Sequence, residues 1–272
     1  LEVLKDYNNF IFNKVDIANR EDIAKSFKSY NPQKVVNLAA QAGVRYSITN
    51  PYTYMDSNLI GFLNIIELCR HNLVEGFIYA SSSSVYGGNK KIPFSREDRV
   101  DKPLALYGAT KRANELIAHS YSNLYDLNTT GLRFFTVYGP WGRPDMAMFI
   151  FIKNILNNIP ISVFNNGEMK RDFTFIDDIV LGTRSAIKNN YKCELFNLGN
   201  SKSEELMDMI KIIEIELNKK AEIKFEPMQP GDVKESFADI DYSKDKLNYS
   251  PITSISSGIP KLIRWYKSYY MQ

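Results

Sequence analysis

One stretch constrains this chain more than any other: an apolar strand that runs into a cluster of serines, followed one loop later by Tyr-x-x-x-Lys at the head of a helix. Gly76-Phe-Ile-Tyr79 reads as a buried strand, and Ala80-Ser-Ser-Ser-Ser-Val-Tyr-Gly87 leaves its C-terminal end. In open α/β sheets that end of the strand is where ligands bind. Tyr107 and Lys111 are four residues apart, so on a helix they share one face. An ammonium about 4 Å from a phenolate, at an effective dielectric of about 20, favours it by roughly 4 kcal/mol. A tyrosine so placed works as a base near neutral pH. Taken alone, the pair is a chance surface pair; the serine cluster upstream gives it a purpose.

Apolar runs and helical periodicities alternate along the chain. Candidate strands are residues 10–15, 34–40, 129–135, 161–164, 196–199 and 223–225. Candidate helices are 19–30, 51–70, 107 to about 125, 146–158, 178–187, 204–218 and 259–270. The expected fold is α/β: a Rossmann-like doubly wound parallel sheet with a smaller C-terminal α/β lobe. A dinucleotide fold places a Gly-x-x-Gly-x-x-Gly loop after its first strand, where a helix N-terminus meets the pyrophosphate. The chain has no such loop and starts at Leu1. The expectation is that the first strand, its glycine loop and part of the next unit are missing from this sequence, and that a chain truly lacking them binds a dinucleotide poorly.

Composition narrows the chemistry. A net charge of +3 does not point to nucleic acid. The most apolar run, residues 146–152, is too short to span a bilayer, and no signal peptide is visible. The two cysteines, Cys69 and Cys193, lack metal-ligand spacing, which fits a reduced cytoplasmic setting and no metal. With only His71 and His119, a Ser/His/Asp hydrolase has little to draw on. Acid–base work falls to tyrosine, lysine or carboxylates.

Six motifs in order carry a resemblance: Asn37-Leu-Ala-Ala-Gln-Ala-Gly-Val-Arg-Tyr-Ser47, Ser81-Ser-Ser-Ser-Val-Tyr-Gly87, Tyr107-x-x-x-Lys111, Arg133-Phe-Phe-Thr-Val-Tyr-Gly-Pro140, Gly142-Arg-Pro-Asp-Met146 and Arg171-Asp-Phe-Thr-Phe-Ile-Asp-Asp178. The chain resembles the extended short-chain dehydrogenase/reductase family over nearly its whole length. Within it the chain is most similar to the NAD-dependent nucleotide-sugar 4-epimerases that act on UDP-glucuronate. The resemblance implies an NAD-binding domain over residues 1–140, with 171–199 returning to it. It implies a nucleotide-sugar lobe over 141–170 and 200–272. It implies Tyr107 as base, Lys111 holding the nicotinamide ribose and lowering the phenol's pKa, and Ser82 on the sugar O4, with Ser83 as the other candidate hydroxyl.

The resemblance also places Asp16 and Ile17 against the adenine, although Asp16 reads equally as a helix N-terminal acid. Leu38, Ala39, Ala40, Gln41 and Phe134 are expected at the cofactor. Asn58 is expected to orient the strand ends near it, or to be a solvated helix residue. Arg45, Thr136, Arg143, Val163, Arg171, Gln229 and Asp232 are expected at the UDP-sugar. The alternative for Arg171 is an ion pair with Asp172 or Asp177, and for Arg143 a phosphate or a neighbouring subunit. A homodimer is implied, built on the 51–70 and 107–125 helices, with Leu116, Ile117, Tyr121 and Leu124 as its apolar surface or as intrachain core. Related dehydratases carry an Asp-Glu pair after the catalytic hydroxyl and related decarboxylases keep the Glu; here Ser83 and Ser84 stand there, and neither does carboxylate chemistry. The expected reaction is C4 epimerisation of a UDP-sugar through a 4-keto intermediate, with UDP-glucuronate the best candidate. A neutral UDP-hexose or UDP-N-acetylhexosamine, a dehydratase or decarboxylase, and a non-catalytic dinucleotide binder are the alternatives.

Overall fold

The computed structural model describes residues 1–271. Its main sheet has four parallel strands, Lys34–Asn37, Gly76–Ser82, Thr129–Phe134 and Cys193–Leu198, in sequence order across the sheet. Phe77, Ile78 and Tyr79 are all buried, which requires cover on both faces of the sheet. Phe77 and Tyr79 pack on one side with Phe62, Ile66 and Ala118. Ile78 packs on the other with Leu132, Phe196, Leu198, Val85 and Ile179. The alternation of the pleat thus builds two cores from one strand.

A third core makes the smaller lobe. Ile152, Ile161, Val163, Ile213, Ile259 and Leu262 belong to it, drawn from helices Ala147–Leu156, Leu206–Leu217 and Ile255–Tyr270 and from the strand Ile161–Phe164, which pairs in parallel with Ile223–Glu226. The chain crosses between the layers through Thr136–Tyr138 and Phe173–Phe175, also a parallel pair. Among the described residues, no helix is long and apolar enough to cross a membrane.

Three local expectations change. Residues 10–15 form no strand: no neighbouring strand offers hydrogen bonds, and Ile11 and Phe12 are exposed. The strand expected over 34–40 ends at Asn37, because the Asn37 Oδ1 accepts from the Ala39 N–H at 3.2 Å and turns the chain. The helix expected over 51–70 is helical throughout but holds a π-helical turn, Met55–Ile60, between Pro51–Tyr54 and Gly61–His71. Such turns frequently mark functional sites.

Asp172, at the crossing, is fully buried. Its carboxylate accepts from the backbone N–H groups of Asn200 (2.5 Å), Ser201 (3.0 Å) and Ala238 (3.1 Å) and from the Thr174 hydroxyl (2.8 Å). One side chain therefore ties the crossing strand to the end of the main sheet and to the segment that leads into the last helices. Asp172→Ala leaves these donors without an acceptor and is expected to cost about 3 kcal/mol or more in urea unfolding.

Candidate active site

The helix Leu106–Tyr125 grips the strand Gly76–Ser82 by one face. Tyr107, Lys111 and Glu115 succeed each other at intervals of four. The Lys111 ammonium donates to the Ala80 carbonyl at 2.9 Å, and the next strand residue, Ser81, donates its hydroxyl to Glu115 Oε1 at 2.6 Å. Glu115 also receives Arg133, whose Nε and Nη2 reach its two oxygens at 2.8 and 2.9 Å, and Arg112 at 3.0 Å. Arg133 continues to the Tyr86 hydroxyl at 3.0 Å, and that hydroxyl donates to Asn197 at 2.6 Å. Burial works to raise the Glu115 carboxyl, but Arg133, Ser81 and Arg112 hold it below its ordinary value. Gly108 lets the helix start so close to the serine turn: a Cβ there would lie 2.5 Å from the Ser84 carbonyl oxygen.

Of the four serines, Ser81 is bound to Glu115, and Ser83 and Ser84 open a 3₁₀ turn. Ser82 is the one whose hydroxyl faces the Tyr107 phenol, and it also accepts from the Ser84 N–H at 3.1 Å. Burial pushes Tyr107 above its ordinary range; the Ser82 hydroxyl and the charge of Arg143 pull it back. The Lys111 amine is turned to the Ala80 carbonyl at 2.9 Å, and the charge of Arg143 pulls on the phenol. Burial brings Lys111 itself down to about 8.

On the cofactor side, Asn58 is buried in the π turn, not solvated. Its Oδ1 accepts from the Gln41 N–H at 2.8 Å, and its Nδ2 donates to the Gln41 carbonyl (3.0 Å) and to Thr110 (3.1 Å). It thus ties the loop after the first strand to the helix of Tyr107. Leu38 and Ala39 are exposed there, and Ala40 is half-buried. Ile17 lies against Gly61, where a Cβ would fall 2.6 Å from it. Asp16 is no helix cap: it accepts from the Ala18 N–H at 2.9 Å, while Asn19 caps the helix Arg20–Tyr30. Phe134 ends its strand in register with Ser82.

The substrate side is more divided. Thr136 and Arg143 line one small, mostly apolar cavity with Tyr138, Met146 and Phe173. The Arg143 guanidinium binds the Asp145 carboxylate through two nitrogens. Trp141, two residues earlier, has a left-handed backbone (φ 62°), costly for a bulky residue. Its ring packs on Trp265 and Tyr269 at centroid distances of 5.2 and 5.3 Å. Arg45 is exposed, 5.7 Å from the Phe164 ring. Arg171 pairs with Asp232 at 2.8 Å, not with Asp172 or Asp177, so two expected ligand contacts bind each other. Gln229 keeps a buried side-chain oxygen with no partner. Its loop closes on the catalytic layer at Gly231 (φ 78°), where a Cβ would sit 3.1 Å from Val44. The Val163 side chain is fully buried in the small-lobe core, which leaves only its main chain for a ligand.

Sequence reasoning missed Tyr54, Glu115 and Asp145. Tyr54 is fully buried, with its hydroxyl against the carbonyls of Ala42 (3.1 Å) and Gly43 (2.5 Å) and its ring edge-on to Tyr107. Glu115 had a signal: a carboxylate on the face shared by Tyr107 and Lys111.

A hydroxyl, a phenol and a buried lysine at the C-terminal end of a parallel sheet define an enzyme of the dinucleotide-using α/β class. The model of the NAD dependent epimerase/dehydratase family matches residues 2–199, and the chain belongs to that family. NAD is its cofactor. The chain is 52% identical over 265 residues to an uncharacterized protein of Methanocaldococcus jannaschii, covering 97% of this chain and 81% of that one. It is 46% identical over 273 residues to UDP-glucuronate 4-epimerase 4 of Arabidopsis thaliana, covering 94% of this chain and 62% of that protein. Among solved structures, the UDP-glucuronic acid 4-epimerase of Bacillus cereus, in complex with UDP-glucuronic acid and NAD, superposes with a TM-score of 0.92 at 35% identity, covering 99% of this chain and 85% of that one.

The residues present fit NAD. The Lys111 ammonium is buried and, among the described residues, forms no ion pair and has one acceptor, which leaves N–H groups for a ribose diol. Exposed Leu38 and Ala39, just past the end of the first strand, offer apolar surface. Because folding lowers the Lys111 pKa from 10.5 to about 8, the unfolded chain holds a proton between those values that the folded chain releases. Stability relative to Lys111→Met is therefore expected to rise from about pH 8 to 10.5, by on the order of 3 kcal/mol. Paired urea titrations across that range test it; a pH-independent difference contradicts it.

Proposed function

We propose that this protein epimerises the C4 of a UDP-sugar, and that the sugar is glucuronate, converted to galacturonate. NAD, held by Lys111, would supply the acceptor of the C4 hydride and its donor on the return. The chain's residues handle the proton and the geometry. Ser82 holds O4, and the Tyr107 Oη, in its phenolate form, takes the O4 proton as the 4-keto sugar forms and gives it back once the ring has turned. Lys111 holds the ribose and, buried beside the site, titrates near the working pH. No carboxylate stands at 83 or 84 to drive elimination at C6, which favours simple epimerisation over a dehydratase.

The observation that carries the uronate reading is the place of Arg143. Its Nη2 lies 3.5 Å from the Ala42 carbonyl, which also accepts from the Tyr54 hydroxyl, and the Tyr54 ring stands edge-on to Tyr107, so Arg143 faces the reacting centre. It already binds a carboxylate through two nitrogens, the geometry in which a guanidinium prefers one. Thr136, on the same cavity, adds a hydroxyl. A firm hold has a chemical purpose: the 4-keto form of glucuronate is a β-keto acid, and a carboxylate kept near the ring plane loses CO₂ slowly. Arg171, Asp232 and Gln229 are assigned to the UDP moiety, with the Arg171–Asp232 pair opening toward phosphate. Exposed Ile60, Leu63, Leu116 and Leu124, on the π turn Met55–Ile60 and the helices Gly61–His71 and Leu106–Tyr125, support a homodimer; Ile117 and Tyr121 instead pack on the chain's own core.

Tyr107→Phe is expected to lower turnover about 10²- to 10⁴-fold with UDP-sugar binding kept. Ser82→Ala should lose far more turnover than Ser83→Ala; wild-type rates in Tyr107→Phe sink the base assignment. Competition among UDP-glucuronate, UDP-glucose and UDP-N-acetylglucosamine decides the substrate. Wild type is expected to favour UDP-glucuronate, and Arg143→Ala to lose that preference by about tenfold or more. A neutral sugar preferred equally by both proteins overturns the uronate reading.

A further inference from the structure

The carboxylate that occupies Arg143 comes from its own loop. Nε donates to Asp145 Oδ1 at 3.0 Å, Nη2 donates to the other oxygen, and Nη2 also approaches the Ala42 carbonyl at 3.5 Å. Both side chains are partly exposed, 45% for Arg143 and 62% for Asp145, so this is not a buried structural bridge. Exposed pairs contribute little to stability and exchange partners readily.

The main chain beneath the pair is fixed. The Met146 N–H donates to the Arg143 carbonyl at 3.2 Å, and the aromatic rings of Trp265 and Tyr269 hold Trp141 in its left-handed conformation. The loop need not move for the side chains to change partners.

We propose that Asp145 is an exchangeable counter-ion of Arg143 that gives way when the carboxylate of a UDP-uronate takes its place. This rests on the uronate reading and deepens it. A neutral UDP-hexose has nothing with which to displace Asp145, leaves Arg143 paired, and gains nothing from it. Asp145 is on this account a specificity-determining residue, and it acts by competition.

Calorimetric dissociation constants for UDP-glucuronate and UDP-glucose on the NAD-loaded enzyme test this in wild type, Asp145→Asn and Asp145→Ala. Removing the competitor is expected to tighten UDP-glucuronate about two- to five-fold in both variants, with a much smaller change for UDP-glucose, so that the ratio of the two constants moves. Weaker or equal UDP-glucuronate binding in the variants, with wild type still favouring the uronate, overturns the exchange and makes Asp145 an orienting partner of Arg143. Wild type that shows no preference for the uronate overturns the substrate reading as well.

Discussion

The structure depends on a buried ion pair. Arg133 is among the largest fully buried side chains, and it meets Glu115 with two parallel hydrogen bonds between the third sheet strand and the helix Leu106–Tyr125. Such a pair is a poor source of net stability, because removing two charges from water costs about as much as their attraction returns. Its value is register. Ser81, Tyr86, Arg112 and Arg133 satisfy their bonds together only when the helix sits at one height and one rotation on the sheet. One turn nearer the helix start, that same height puts Lys111 on the Ala80 carbonyl, and two turns nearer it puts Tyr107 before Ser82.

The site is thus assembled from two kinds of element. The group assigned to proton transfer stands on regular structure, a strand end and a helix start, locked by buried polar bonds. The groups assigned to the sugar and its phosphates stand on loops and short strands between the layers, and they bind each other: Arg171 with Asp232, Arg143 with Asp145. Fixed distances suit proton transfer, and ion pairs near the surface suit a charged ligand that enters and leaves.

Legibility followed sequence distance. The parallel sheet, the helix through Tyr125 and the strand Ile161–Phe164 were readable because period and punctuation are local. Tyr107, Lys111 and the serine cluster stood out for the same reason, though only resemblance picked Ser82 from among the four. The Asp172 contacts were not readable, since its partners at Asn200, Ser201 and Ala238 are found only by folding. Residues 10–15 have the composition of a strand, but a strand exists only by pairing. The π turn left the apolar periodicity nearly intact while it carried Asn58 inward. The Tyr107 phenol is the instructive case. Spacing put Lys111 on the face of Tyr107, while its amine turns to the Ala80 carbonyl and the charge of Arg143, brought back by the crossing between the layers, pulls on the phenol.

Trp141 carries one further consequence. Its unfavourable backbone persists because Trp265 and Tyr269 hold its ring, and these belong to the last turns of the helix Ile255–Tyr270. Helix ends fray. Fraying here would release the tryptophan, and with it the loop that presents Arg143. Whatever loosens the last turns of this helix therefore reaches the loop of Arg143 before it reaches the cores of the fold.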